Sequence, residues 1–309
     1  MGSAEKAYPF YPEPEEIDKW CDSIWQDADR IECKVEVLND NGWRHDFGDY
    51  QARLQLVKFM PADLPAFYGA WQPALSGEKP LAVHLPGYGG ELSVHPEIAA
   101  KGFNVLNLSP MGYWTPEGID LSRKDKQLPE HFPVLPDTLR SNRKHGYNEW
   151  LRCVIYAVRW AWTQSSVFEN RVSFYGTSQG GGASVLAGSL FKDHGIRCIA
   201  ADEPFLTDYP AAKTAGAYHA LMKVLEEAPN LEDAYRTLAV ADTLAHTHRI
   251  NCPILVTEGE KDTVCPPFTM RHLHSRLGST SAYISFANRQ HGYSYEFARI
   301  VETWLFLYA

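Results

Sequence analysis

Arg171-Val172-Ser173-Phe174-Tyr175-Gly176-Thr177-Ser178-Gln179-Gly180-Gly181-Gly182 is the stretch that decides the fold. A short apolar run ends at Gly176, small residues surround one serine, and an amphipathic segment follows. In that segment Ala183, Leu186, Ala187, Leu190 and Phe191 recur at helical spacing. The pattern is strand, sharp turn, helix, with G-x-S-x-G at the turn, and it predicts a nucleophile elbow that exposes the Ser178 hydroxyl. A side chain at Gly176 or Gly180 would crowd such a turn. The helix beginning there would aim free N–H groups and a positive dipole end at the serine.

Working outward, the flanking segments alternate. Residues 81–85, 103–108, 196–201 and 253–258 are continuous apolar runs of the kind found in strands covered on both faces. Between them, residues 92–101 predict a helix. Trp150, Leu151, Val154, Ile155, Val158 and Trp162 mark a second, strongly amphipathic one. Upstream, residues 53–60 and 67–72 suit antiparallel strands. Downstream, residues 267–277 predict a helix, 282–286 the last strand and 297–308 a closing helix. Residues 110–145 are expected to form a long loop. Strand and helix in alternation imply right-handed crossovers. The expected fold class is α/β: a doubly wound, mostly parallel α/β-hydrolase sheet with antiparallel N-terminal strands.

About 50 residues separate the strands at 196–201 and 253–258, far more than an ordinary connection needs. Helices expected at 211–225 and 231–239 and a short piece ending near His246 make a helical cap insertion at about 206–247. The expected organisation is an N-terminal arm and helix over 1–52 and the hydrolase domain over 53–309, cap included. The arm is residues 1–16, rich in Pro, Tyr and Glu, and its helix is residues 16–30.

Composition bounds the function. With 309 residues and 45% hydrophobic content the chain can fill a large core. Its net charge of −9 argues against nucleic acid or an anionic membrane as partner. No apolar run nears the roughly 20 residues of a membrane span, and the first residues carry no basic-then-apolar leader pattern. The expectation is a soluble, cytoplasmic protein. Its six cysteines are scattered and form neither a C-x-x-C pair nor a zinc-spaced cluster. The loop Gly87-Tyr88-Gly89-Gly90 lacks G-x-G-x-x-G spacing. No metal and no cofactor is called for.

A serine hydroxyl is a weak nucleophile until a base takes its proton and an acid orients the base. After the nucleophile this fold places the acid and then the histidine. The acid expected is Asp262, in a turn just past a buried strand, with Glu260 and Asp202 as rivals. The base expected is His291, the one histidine between the last strand and the closing helix. His272 and His274 fall on the preceding helix and are expected to be solvated. A neutral imidazole of ordinary pKa gives kcat/KM an acid limb at about 6–7. The oxyanion donors expected are the backbone N–H groups of Gln179 and Tyr88. Glu203 is read as a contact to substrate or as the partner of a nearby Arg or Lys. Trp114 and Tyr209, with Tyr113, Tyr218 and His219, are read as pocket walls or plain packing. Cys265, near the acid turn, is expected to be a free thiol.

Gly87-Tyr88-Gly89-Gly90, the Gly176–Gly182 elbow, Asp202-Glu-Pro-Phe-Leu206 and Asp262-Thr-Val-Cys-Pro-Pro267 together resemble the acetyl xylan esterase / cephalosporin C deacetylase family. The resemblance runs in order from about residue 53 to the C-terminus. It implies deacetylation of small O-acetyl substrates such as acetylated xylo-oligosaccharides, with Ser178, Asp262 and His291 as triad and Tyr88 and Gln179 as oxyanion donors. It further implies a cap that shapes the acyl pocket and ring-like homo-oligomers. Four places depart from the family pattern. Met111-Gly112-Tyr113 replaces Arg-Gly-Gln, and Pro86 replaces a histidine. Glu203 stands where an apolar residue is usual, and Gly292 where Glu is. The expected function is a serine esterase acting on short-chain, acetyl-type O-esters of a small-molecule substrate. The alternatives are another acyl-transfer enzyme (peptidase, lactonase or acyltransferase) or a non-catalytic ligand-binding protein.

Overall fold

The computed structural model describes residues 11–38, 54–88, 90–124, 134–135, 138, 146–212, 216–228 and 230–309. The expected arm at 1–10 and most of the expected loop at 125–145 lie outside the described residues. Among the described residues, nine strands form one sheet. They are β1 (Cys33–Leu38), β2 (Gln55–Pro61), β3 (Phe67–Gln72), β4 (Lys79–Leu85), β5 (Asn104–Ser109), β8 (Val167–Thr177), β9 (Ile196–Asp202), β10 (Ile254–Gly259) and β11 (Ser281–Phe286). Two short strands, β6 (Trp114–Thr115) and β7 (Gly118–Ile119), make a separate ladder. The order in the main sheet is β1-β2-β3-β5-β4-β8-β9-β10-β11. β1, β2 and β3 are antiparallel, and every pair from β5 to β11 is parallel.

Alternation along the strands divides the core. Leu81, Val83, Leu85, Ile199, Ala201, Ile254 and Val256 face one side. There they meet α1 (Pro14–Arg30), α3 (Gly146–Trp162) and α4 (Gln179–Leu190). Their neighbours Ala82, Cys198, Ala200 and Leu255 face the other side. Those residues pack on α2 (Pro96–Ala100) and α9 (Tyr295–Tyr308). A period of two with apolar residues on both faces is what a sheet sandwiched between helices requires. The fold class expected from the sequence is the one observed.

Three elements differ from the sequence expectation. β1 was not expected. Its mixed sequence Cys-Lys-Val-Glu-Val-Leu has no continuous apolar run, because an edge strand is half solvated. It pairs with β2, so the sheet begins before residue 53. The helix expected at 92–101 shrinks to α2, since Pro96 fixes its first turn and the residues before it form no helix. The cap helix expected at 211–225 is two pieces, α5 (Tyr209–Ala212) and α6 (Tyr218–Glu226), on either side of the turn at Gly216. α7 (Leu231–Ala239) and a 3-10 turn (Thr243–Arg249) complete the cap segment, and α8 (Pro267–Arg276) follows β10. The cap is tied down by Asp242, whose carboxylate accepts from the backbone N–H groups of Asp208, Tyr209 and Leu244 and from the Tyr11 hydroxyl. No described helix is long and apolar enough to cross a membrane.

Candidate active site

Ser178 sits between the end of β8 and the first turn of α4 with φ 61° and ψ −121°. That left-handed backbone costs roughly 1–3 kcal/mol for a residue with a Cβ. The surroundings hold it in place. Ser178 N–H donates to the Asp202 carbonyl at 2.9 Å, and the Ser178 carbonyl accepts from Phe205 N–H at 2.9 Å. The elbow glycines are needed for close approach: a Cβ on Gly176 or Gly180 would lie 2.5 or 2.1 Å from the Leu85 carbonyl oxygen. α4 starts at Gln179, so its first N–H groups open toward the serine.

The three side chains expected to meet do so. His291 Nε2 lies 3.0 Å from Ser178 Oγ, and His291 Nδ1 lies 2.8 Å from Asp262 Oδ2. The other Asp262 oxygen accepts from Val264 and Cys265 N–H at 2.7 and 2.8 Å, which fixes the carboxylate in its turn. In the neutral ring, a carboxylate at Nδ1 favours the proton there and leaves the Nε2 lone pair turned to the serine. The rival acids are otherwise engaged. Asp202 is fully buried and holds Arg289 through two hydrogen bonds of 2.9 and 2.7 Å, with Thr177 and Thr257 hydroxyls also donating to it. Glu260 is exposed and accepts from Asn288 N–H.

Glu203 is read from the sequence either as a substrate contact or as the partner of a nearby Arg or Lys. Its side chain is fully buried, and of the two roles weighed for it the ion pair is the one observed: Oε1 stands 3.3 Å from Arg289 Nε. Its second oxygen accepts from Gly292 N–H at 2.8 Å and lies 3.2 Å from His291 Nδ1. Burial raises the Glu203 pKa, opposed by its contacts to His291, Gly292 and Arg289. Burial also works against a charged His291. The hydrogen bonds and charges of Asp262 and Glu203 outweigh that, and the imidazole is pushed up to about 9. The ordinary imidazole value expected from sequence is therefore displaced to the alkaline side. Arg289 was missed in the sequence. It stands two residues before His291 in a loop with no periodicity, and only the fold brings it to the end of β9.

Trp114 packs with Leu54, Leu56, Ala70 and Leu92 and meets Tyr68 edge-on, which is the packing role among the two weighed for it. Tyr209 is buried against Phe205 and Tyr218, with ring centroids 6.3 and 5.7 Å away. Its hydroxyl is buried and has no hydrogen-bond partner among the described residues. Tyr88 meets the same Phe205 edge-on, so these rings adjoin the elbow. Tyr113 is buried beneath the Arg123 guanidinium, and His219 is exposed.

Cys265 lies beside the Ser178 hydroxyl, and burial, with Asp262 and Glu203 adding to it, drives its thiol well above the usual range. Asp262, Cys265 and His291 bring donor atoms within 4.8 Å of one another, a spacing that could hold a metal ion. Asp262 and His291 are already bonded to each other and to backbone or serine, and a neutral buried thiol is a poor ligand. The donor set is better suited to acyl transfer than to a cation.

Comparison with known proteins bears on the family and the fold. The sequence model of the acetyl xylan esterase (AXE1) family matches residues 8–307. An acetyl esterase of Xylanibacter ruminicola is 25% identical over 283 residues, covering 86% of this chain. The match spans 61% of that protein's own length. Among solved structures, acetyl xylan esterase 1 from Thermoanaerobacterium superposes with a TM-score of 0.78 at 18% identity, over 95% of this chain and 93% of the other. An acetyl xylan esterase from Paenibacillus gives 0.75 at 17% identity over the whole of both chains. These structural likenesses speak for the fold.

Proposed function

The chain belongs to the acetyl xylan esterase (AXE1) family, and from that premise we propose that it is a serine esterase releasing acetyl-type acyl groups from a small or carbohydrate-like alcohol. The observation that carries the reading is the single imidazole bridging Ser178 Oγ at 3.0 Å and Asp262 Oδ2 at 2.8 Å.

In this reading Ser178 Oγ attacks the acyl carbonyl while His291 Nε2 takes the hydroxyl proton. The oxygen of the tetrahedral intermediate is met by Gln179 N–H, at the positive end of α4, and by Tyr88 N–H. Collapse expels the alcohol, which leaves with the proton from Nε2, and an acyl group stays on Ser178. Water then attacks with its proton going to Nε2, and the acid and free serine are regenerated. Asp262 holds the ring and offsets the charge on the imidazolium.

The tight ring cluster of Phe205, Tyr209 and Tyr218 beside the elbow supports a short acyl group. A chain-length series of p-nitrophenyl esters, with the matching anilide as amide control, tests this. Acetate should be best, with activity falling as the chain lengthens and little hydrolysis of the amide. An optimum at long chains or on the amide would refute it. Self-association belongs to the same proposal. Phe306 and Leu307 on α9 are largely exposed, and light scattering in solution reads the oligomer directly.

A further inference from the structure

His291 Nδ1 faces two carboxylates. Asp262 Oδ2, from the turn after β10, is 2.8 Å away, and Glu203 Oε2, from the end of β9, is 3.2 Å away. Both acids are fully buried, and a buried carboxylate without a partner is strongly unfavourable. Glu203 is aimed by several features at once. Gly292 N–H donates to Oε2 at 2.8 Å and Arg289 Nε flanks Oε1 at 3.3 Å. Its backbone has φ 43°, a left-handed conformation for a residue with a side chain. Gly259 leaves the necessary room, since a Cβ there would lie 2.7 Å from Glu203 Oε1. The charged and titratable groups around the ring come from four elements. The end of β9 and the residue after it supply Asp202 and Glu203, and the turn after β10 supplies Asp262 and Cys265. The loop after β11 supplies Arg289, and the elbow supplies Ser178. Arg289 is already bonded through both nitrogens to Asp202. Arg289 Nε faces the other Glu203 oxygen, so Oε2 is the oxygen left to the imidazole, beside Asp262 Oδ2.

We infer that Glu203 is a second acid for His291, a positioning residue that shares the Nδ1 proton with Asp262 and keeps the ring in its working tautomer when Asp262 is lost. The inference rests on the esterase reading above and adds a residue to it. With one acid, an Asp→Asn change places an amide opposite Nδ1 and moves the proton to Nε2. There it blocks the serine, at a loss of about 10⁴-fold in the serine-protease example. Here Glu203 still accepts Nδ1–H, so Asp262→Asn should lower kcat/KM by less than about 100-fold. Glu203→Gln should lower the plateau rate by less than about tenfold. It removes one negative charge from the ring, so the acid limb of kcat/KM moves down by about one pH unit. The double variant should lose about 10⁴-fold, more than the product of the singles.

The test assays the full chain with p-nitrophenyl acetate from pH 5.5 to 10, and a separate sample of each variant is treated with a fluorophosphonate to read labelling of Ser178. A wild type neither labelled nor active overturns the esterase reading itself. With wild type labelled and active, an Asp262→Asn variant as slow as the double variant overturns the second acid. So does a Glu203→Gln variant whose acid limb stays in place. If Glu203→Gln fails to fold by circular dichroism, Asp262→Asn decides alone: a loss near 10⁴-fold refutes the inference, and one below about 100-fold supports it.

Discussion

Two of the Asp–His couples among the described residues have different surroundings. His291 joins Asp262 with one ring nitrogen and reaches Ser178 with the other. His272, on α8, joins the fully buried Asp208 of the cap through Nδ1. The side chain of His272 is 49% exposed, against 18% for His291. Asp208 is otherwise an anchor: its backbone N–H donates to Asp242, and its Oδ1 accepts from Ala211 N–H. An Asp–His contact alone is therefore not a catalytic unit. The one proposed as catalytic has a strained serine, a helix N-terminus and a second carboxylate around it. The other pins the cap to α8, beneath solvent that screens it.

The comparison breaks first at the serine. Ser178→Ala or His291→Ala should lower kcat by about 10⁴- to 10⁶-fold, with only oxyanion and binding effects left. Retention of a tenth of wild-type activity would remove the distinction between the two couples. The second effect is in pH. His291 serves as base only when neutral, and its value is raised to about 9. Activity of the wild type should therefore climb through pH 7 and 8 and level off on the alkaline side. An acid limb at the ordinary imidazole value would mean that the paired carboxylates do not act on the ring. The third effect sets stability against activity. A histidine raised in the folded state stabilises below its unfolded value, near 6.5, and that contribution is lost as pH rises through about 9. Buried thiols act in the same sense: Cys21 is raised to about 11 and Cys198 to about 12, burial being the main cause. Thermal melts should fall from pH 7 to 10 while kcat/KM still rises, and melts flat over that range would contradict it. Smallest is His272→Ala. It should leave kcat/KM within about twofold and lower Tm by about 2–4 °C, the effect of roughly 1 kcal/mol in a chain of this size. A large loss of rate would give that couple a part in the chemistry.

Legibility in the sequence followed locality. The elbow was plain because Gly176, Ser178 and Gly180 act within one turn. Asp262 and His291 were found because chain order and position after a strand narrow the choice. The parallel strands were visible as apolar runs. What the sequence hid depends on contacts across strands. Glu203 and Arg289 lie 86 positions apart, and nothing local says that they share a buried corner with the imidazole. Trp114 shows the reverse: an aromatic residue near a glycine loop suggests a substrate wall, yet the ring fills a gap beside Leu54 and Leu56. β1 escaped notice because half of an edge strand is solvated. The cap break at Gly216 was masked by helix-favouring neighbours.

The sharpest measurement is to trap the covalent intermediate. A rapid acid quench of the enzyme turning over p-nitrophenyl acetate, followed by peptide mapping, locates the acyl group. The account predicts one acetyl group on the Ser178 peptide, formed as fast as turnover and absent from Ser178→Ala. Acetyl on the neighbouring Cys265, or turnover with no covalent intermediate at all, would contradict it.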